Sequence, residues 1–253
     1  MKRLIAKGWR PVTVLILLLV LWEGAVRQFD VPNWILPAPS VIANELIYGA
    51  DRYLPHIASS VQLALTSYGV AVLFGLTVAI TLFRVESLKE AMYPLLIISQ
   101  NIPVIVLAPL LVIWFGFGML PKVIVITLVC FFPITIATLD GLRQTNPAYI
   151  HYMKMIGATD RHIFWKVEWP HALPSIFSGL KIAATYSVMG AVITEWLGAN
   201  KGIGVYMTLA SSSFKTERVF VAIVIVIALS LLFFACIAAL ERYTLRWQEG
   251  GRR

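Results

Sequence analysis

Long apolar runs, separated by short polar or basic stretches, organise this chain. A helix needs about 20 apolar residues to cross the hydrocarbon layer of a bilayer. The run 11–29 meets that length, and its two charges, Glu23 and Arg27, are spaced to pair on one helical face. Residues 57–83 carry no formal charge; as one helix they would extend about 40 Å, so tilt or interfacial ends are required. Residues 91–121 are also uncharged but too long for one span. The stretch "FGFGMLP" offers a break and divides them into spans near 91–114 and 121–139. A fifth span is predicted over 172–197 and a sixth over 219–240.

Two polar segments between these runs have patterns of their own. Residues 30–56 contain four prolines, and Ser40 is placed to cap a short interfacial helix over 41–48. The segment 142–171 is charged, aromatic and basic. Asn146 followed by Pro147 forms a helix start, after which Ile150, Met153 and Ile156 recur every three residues on one narrow stripe. Gly157 should bend or end that helix. Thr159 can cap a second short helix in which Ile163, Phe164 and Val167 share a face, with Pro170 stopping it and Pro174 starting the next span. The chain thus reads as a first span with an external proline-rich loop (1–56), a membrane domain (57–241) and a basic tail (242–253).

Composition supports this reading. Hydrophobic residues make up 59% of the chain and the mean hydropathy is +0.80, against about 45–50% apolar content in a soluble domain. The formal charge of +8 would suit nucleic acid, but its distribution has another explanation. Fourteen lysines and arginines fall in the two ends, the 84–90 connection and the 142–171 loop, while six fall in the alternate connections. Basic residues concentrate on the cytoplasmic side of membrane proteins, so both termini and the 142–171 loop are predicted to be cytoplasmic. Lys181, inside the fifth span, is expected to snorkel to that interface. Cys130 and Cys236 sit in apolar runs without metal-ligand spacing, and no metal site is predicted. No G-x-x-x-x-G-K-[ST], H-E-x-x-H or G-x-S-x-G motif occurs. Ionisable residues within the spans are few, chiefly Glu23, Lys181 and Glu195, so transport energy is expected from another protein.

The 142–171 loop is similar to the cytoplasmic loop of bacterial ABC importer permeases. That family carries Glu-Ala-Ala, three residues, Gly, nine residues, then Ile-x-Leu-Pro. Here Gly157 and Pro170 stand at the matching separation, Val167 replaces the isoleucine and Trp169 the leucine, and His151, Tyr152 and Met153 occupy the Glu-Ala-Ala positions. "LPAPSVIANEL", "IPVIVLAPLLVIWFGFG" and "TEWLGANKGIG" resemble the nitrate/sulfonate/taurine branch in order and spacing, so the likeness covers most of the chain.

The resemblance implies an all-α membrane protein of about six transmembrane helices with the type I ABC importer permease architecture, in the bacterial inner membrane. It implies a permease without catalytic residues or cofactor, working as a homodimer with an external solute-binding protein and a separate ATPase pair that holds ATP and Mg. The 148–168 segment would be the ATPase-coupling element, with Ile150, Met153, Ile156 and Phe164 as apolar anchors and Gly157–Ala158 as the bend. For the translocation path, Gln100 and Asn101 precede Pro103, which can release backbone carbonyls toward a cavity, and Glu195 lies near the outer end of the fifth span. Packing is as good an explanation as solute contact for all three. Trp114, Phe115 and Phe117 read as an interfacial aromatic belt. The aromatic-rich spans, which lack a buried arginine, favour an uncharged heteroaromatic solute such as a thiamine-precursor pyrimidine. A sulfonate, taurine, nitrate or riboflavin-like vitamin is the alternative. From another class, a secondary transporter or channel working alone would be marked by uptake without an ATPase.

Overall fold

The computed structural model describes residues 2–101 and 103–246; the last residues of the basic tail, 247–253, lie outside the described residues. All regular structure among the described residues is helical. α1 (Lys2–Gln28) is followed by the short α2 (Pro39–Tyr48), the long α3 (Ala50–Arg84), and α4 (Glu86–Ser99) and α5 (Val104–Phe115). Then come α6 (Met119–Arg143), α7 (Pro147–Met155), α8 (Asp160–Ile163), α9 (Trp169–Glu195), α10 (Ile203–Ser212) and α11 (Thr216–Thr244). Among the described residues, five helical stretches are long and apolar enough to cross a membrane: Trp9–Gln28, Ala50–Arg84, Met119–Arg143, Asp160–Glu195 and Thr216–Thr244.

The core is formed by α3, α6 and α9. In lipid the hydrophobic effect does not drive helices together, so close backbone approach and dispersion must do so, and small residues permit it. α9 carries such a ridge at every fourth position: Ser175, Gly179, Ala183, Ser187 and Ala191. The last three have no accessible surface. The ridge lies against α6, where a Cβ added at Gly179 would stand 2.6 Å from the Pro133 carbonyl and 2.8 Å from the Ala137 Cβ. α3 presents a matching line of buried small residues, Ser60, Ala64, Ser67, Ala71, Gly75 and Ala79.

The expected single span over 91–114 is two helices instead. Pro103 supplies no amide hydrogen and disfavours helical geometry at the residue before it, so α4 ends at Ser99 and α5 begins after Pro103. Neither piece is long enough to cross alone. Together their 26 residues would extend about 39 Å as helix. Helix polarity shows what this broken pair does. The Thr127 hydroxyl lies 3.5 Å from the Ser67 carbonyl, and the Thr135 hydroxyl donates to the Gly75 carbonyl at 3.2 Å. An eight-residue step along α3 therefore matches an eight-residue step along α6, and the two run parallel. α4 and α5 must return the chain from one end of the bundle to the other. The same argument makes α9 antiparallel to α6, because Gly141 meets Ser175 whereas Gly190 meets Ile126. α11 is antiparallel to α9, since Lys181 pairs with Glu241 while Val192 packs with Val221 and Ala222. From α3 onward the chain thus runs along the bundle five times, and the end of α11 lies at the same end as the α7–α8 loop.

Other sequence expectations change with tertiary context. Ser40 does not cap α2, whose N-terminal flank is Ala38. Its backbone N–H and hydroxyl instead donate to the two oxygens of Glu23, at 3.0 and 2.8 Å. The carboxylate of α1, paired with Arg27 as expected at 2.6 Å, therefore anchors the first turn of α2. Lys181 does not snorkel: its ammonium lies 2.8 Å from the Glu241 carboxylate, with both side chains about one-fifth exposed. Nor does Pro170 stop a helix. A π-helical turn, Phe164–Glu168, joins α8 to α9 without a break, and Pro170 falls in the first turn of α9. The wider turn absorbs the hydrogen bond that proline cannot make; the Trp169 amide reaches back five residues to the Phe164 carbonyl.

Candidate functional site

Three surfaces hold the functional candidates. At the loop end, the Asn146 side chain accepts from the Ala148 amide at 2.9 Å, so the predicted cap with Pro147 at the first turn forms. Gly157 adopts φ +81°, a left-handed conformation available to glycine without a Cβ clash, and turns the chain between α7 and α8. Thr159 then caps α8 by accepting from the His162 amide at 3.4 Å. Lys154 and Asp160, both exposed, face each other across the bend at 3.9 Å, a pairing worth little.

The exposed face of this loop shares only Ile156 with the stripe read from the sequence. Ile150, Met153, Ala158, Val167 and Pro170 are half-buried, while His151, Tyr152, Ile156 and Gly157 are exposed. The outward apolar face consists of Tyr149, Tyr152, Met155 and Ile156, at 62–85% exposure. Their spacing of three, three and one is helical and was available in the sequence; of the stripe anchored on Ile150, Ile150 and Met153 turn inward and Ile156 stays exposed.

Phe164 is a second correction. It is 2% exposed and packs with Leu142, Ala172 and Ile176, so it belongs to the chain's own core rather than to an external contact. The Arg84 guanidinium, at the end of α3, lies 4.4 Å from its ring centroid, a cation–π geometry. Sequence reasoning missed Arg84, which is 80 residues away. The loop is therefore fastened to α3, α6 and α9 at once.

At the opposite end, Glu195 is 2% exposed and holds the turn that follows α9. It accepts from the Ser60 hydroxyl at 2.6 Å and from the Gly204 amide at 2.8 Å, and Ser60 in turn accepts from the Ile203 amide at 2.8 Å. The Gly202 amide donates to His56 Nδ1 at 3.1 Å. A Cβ at Gly202, whose φ is +139°, would fall inside the Glu195 carboxylate. The "GANKGIG" stretch thus wraps around one carboxylate. Beside it lies an open hollow of about 450 Å³, lined in part by Gln62, Phe117, Lys122 and Lys201. Replacing Glu195 by alanine is expected to strand the Ser60 and Gly204 donors, at a cost of about 1–3 kcal/mol. The variant should show a lower thermal midpoint in detergent and faster tryptic cleavage after the exposed Lys201. An unchanged midpoint and cleavage rate would refute this latch.

The third surface is a half-open cavity of about 590 Å³ along α6, beside the α4–α5 break. Gln100 lines it. Asn101 is engaged elsewhere, its side-chain amide donating to the Ile97 carbonyl at 2.8 Å. The three expected pathway residues are therefore not brought together: Gln100 borders this cavity, Asn101 closes the end of α4, and Glu195 latches the opposite end.

With this geometry in view, comparison with known proteins identifies the family. Residues 71–246 match the family described as binding-protein-dependent transport system inner membrane component. The chain belongs to that family. It is therefore the permease component of an ABC transporter, a multi-pass inner-membrane protein and not itself an enzyme; the ATPase is a separate partner. The chain is 36% identical over 240 residues to the formylaminopyrimidine transport permease protein ThiX of Halalkalibacterium halodurans, covering 94% of this chain and 96% of that protein. It is 28% identical over 241 residues to the taurine transport system permease protein TauC of Escherichia coli, covering 93% and 88%. Among solved structures, an inward-facing form of the MetNI methionine ABC transporter superposes with a TM-score of 0.61 at 18% identity, covering 74% of this chain and 94% of that one. That likeness establishes the fold, and with it the type I importer architecture expected from the 142–171 loop.

Proposed function

We propose that this permease carries a neutral, amino-substituted heteroaromatic solute of the formylaminopyrimidine kind, delivered by an external binding protein and driven by an ATPase pair. The observation that carries this reading is the near end-to-end likeness to ThiX, 36% identity across 94% of this chain. The likeness to the taurine permease is lower, at 28%. The 590 Å³ cavity has room for a single small ring system, since ligand pockets usually measure about 300–1,000 Å³.

In this reading, the α7–α8 loop faces the cytoplasm, as the distribution of basic residues indicates, and seats in a groove of the ATPase. The exposed face of Tyr149, Tyr152, Met155 and Ile156 makes the contact, with the bend at Gly157. Because the loop is fastened through Phe164 to Arg84 and to the core helices, movement of the ATPase pair is passed to α3, α6 and α9 as a rigid-body displacement. Two permease copies, each with one such loop, enclose the path. The work is mechanical and requires no chemistry in this chain.

Mass spectrometry of the solute retained by the cognate binding protein tests the substrate. A pyrimidine is expected, and retention of taurine or another sulfonate would overturn the assignment. Uptake should also stop when the partner ATPase is inactivated; uptake persisting in its absence would point to a secondary transporter.

A further inference from the structure

Of the three core helices, α3 alone is not joined in sequence to the α7–α8 loop. α6 leads into the loop, and α9 leaves it through the π-helical turn Phe164–Glu168, so both must follow any movement of it. α3 can follow only through side-chain contacts. Leu76, Ile80 and Phe83 pack against the cluster that holds Phe164, but apolar contact is non-directional and lets helices slide. The Arg84 guanidinium, 4.4 Å from the Phe164 ring centroid, is drawn to the ring face by its quadrupole. It therefore fixes position as well as proximity.

The other end of α3 makes a second attachment. The Ser60 hydroxyl donates to Glu195, the last residue of α9, at 2.6 Å, and accepts from the Ile203 amide at 2.8 Å. One turn earlier, His56 Nδ1 accepts from the Gly202 amide at 3.1 Å. From Ser60 to Arg84, α3 is unbroken helix about 36 Å long; its proline, Pro55, precedes that stretch. Among the described residues, one further hydrogen bond ties α3 directly to α9: the Tyr68 hydroxyl donates to the Leu180 carbonyl at 3.1 Å, between the two ends. Coupling over such a distance needs a rigid element that both ends bias, and this stretch of α3 is one.

We propose that Arg84–Phe164 and Ser60–Glu195 are paired locks that make α3 and α9 move as one rigid unit when the ATPase drives the loop, with Arg84 the positioning residue at the driven end. Without the inner lock, the loop carries α9 while α3 lags, and the shear falls on the Glu195 turn. The proposal rests on the ATPase-driven reading above and is independent of which solute is carried.

The test uses the permease–ATPase complex in lipid nanodiscs, where both faces are accessible. Trypsin is added with and without a non-hydrolysable ATP analogue, and the cut after the exposed Lys201 is followed by mass spectrometry. In the wild type that cut should be equally slow in both conditions. In Arg84→Gln it should match the wild type without nucleotide and quicken at least about fivefold with it, the lower end of ordinary long-range coupling. Arg84→Lys, which keeps a cation over the ring, should behave as the wild type. Phe164→Leu, which keeps an apolar side chain but no ring face, should repeat the Arg84→Gln pattern. Ser60→Ala opens the outer lock directly and should quicken the cut with or without nucleotide; an unchanged rate would show that Ser60 locks nothing. A nucleotide-sensitive cut in the wild type would overturn the rigid unit. Cleavage of Arg84→Gln that is unaltered, or raised equally in both conditions, would overturn the role of Arg84, since a general loss of structure does not wait for nucleotide. Release of the ATPase by Arg84→Gln alone would place Arg84 in the docking surface instead and overturn it too. Failure of the wild-type permease to hold the ATPase would overturn the reading on which the proposal rests.

Discussion

Replacing Gly157 by aspartate is expected to abolish ATP-dependent uptake while leaving membrane insertion intact. The structure explains why the two effects separate. No atom stands within 4 Å of a Cβ built at Gly157, so a side chain there meets open space and disturbs no packing. The left-handed φ of +81° is the only local penalty, about 1–2 kcal/mol for a non-glycine residue, and aspartate is among the residues that bear it best. That is too little to unfold a bundle whose core lies elsewhere. The charge, however, would sit at the bend, beside the exposed apolar face of α7, in the surface assigned to ATPase docking. Burying an unpaired carboxylate in such a contact costs several kcal/mol, enough to displace the ATPase. Co-purification with the ATPase and uptake in the same membranes decide the matter. Normal association and transport by the variant would refute the coupling role of this loop, whereas Gly157→Ala should retain most of both.

Gly179→Leu is expected to have the opposite phenotype, with failure before any question of transport arises. A Cβ at this position already stands 2.6 Å from the Pro133 carbonyl and 3.2 Å from the Ile134 Cα. These are backbone atoms of α6 and cannot swing aside as a side-chain tip could, so the two helices must separate. Overpacking a tight core ordinarily costs about 1–3 kcal/mol when side chains can yield; here the close contact of α6 and α9 is itself the structure. The variant should be lost to degradation or appear as aggregate by size-exclusion chromatography. Gly179→Ala, with one added carbon and the same contacts, should be recovered in reduced yield. A monodisperse leucine variant with wild-type yield would show that α6 and α9 are free to move apart.

Several features were legible in the sequence because they depend on neighbours within one or two helical turns. The Asn146 cap, the bend at Gly157, the Thr159 cap, the Glu23–Arg27 pair and the break at Gly116–Gly118 were all expected, and all are present. The errors share a different cause. Ser40 has the residue type of a cap, yet the Glu23 carboxylate, 17 residues away, takes its hydrogen bonds. Lys181 has the stem length to snorkel, yet Glu241 lies 60 residues away at 2.8 Å. Phe164 shares a local face with residues of an amphipathic helix, yet α3, α6 and α9 converge on it. In each case a partner distant in sequence offered a better interaction than the local one.

By itself, the sequence determined the membrane environment and the family, because hydropathy and the Gly157–Pro170 spacing are properties read along one dimension. Tertiary structure alone decided that Glu195 is a latch and that Asn101 is spent within α4. It also decided that the exposed face of the loop is the Tyr149–Tyr152–Met155 face, and that Gln100, Asp140 and Tyr186 border one cavity. Those three residues come from the α4–α5 connection, α6 and α9, and no periodicity along the chain encodes that they border one cavity. The shared cavity follows from the parallel course of α3 and α6 and from the small-residue ridge that draws α9 against α6.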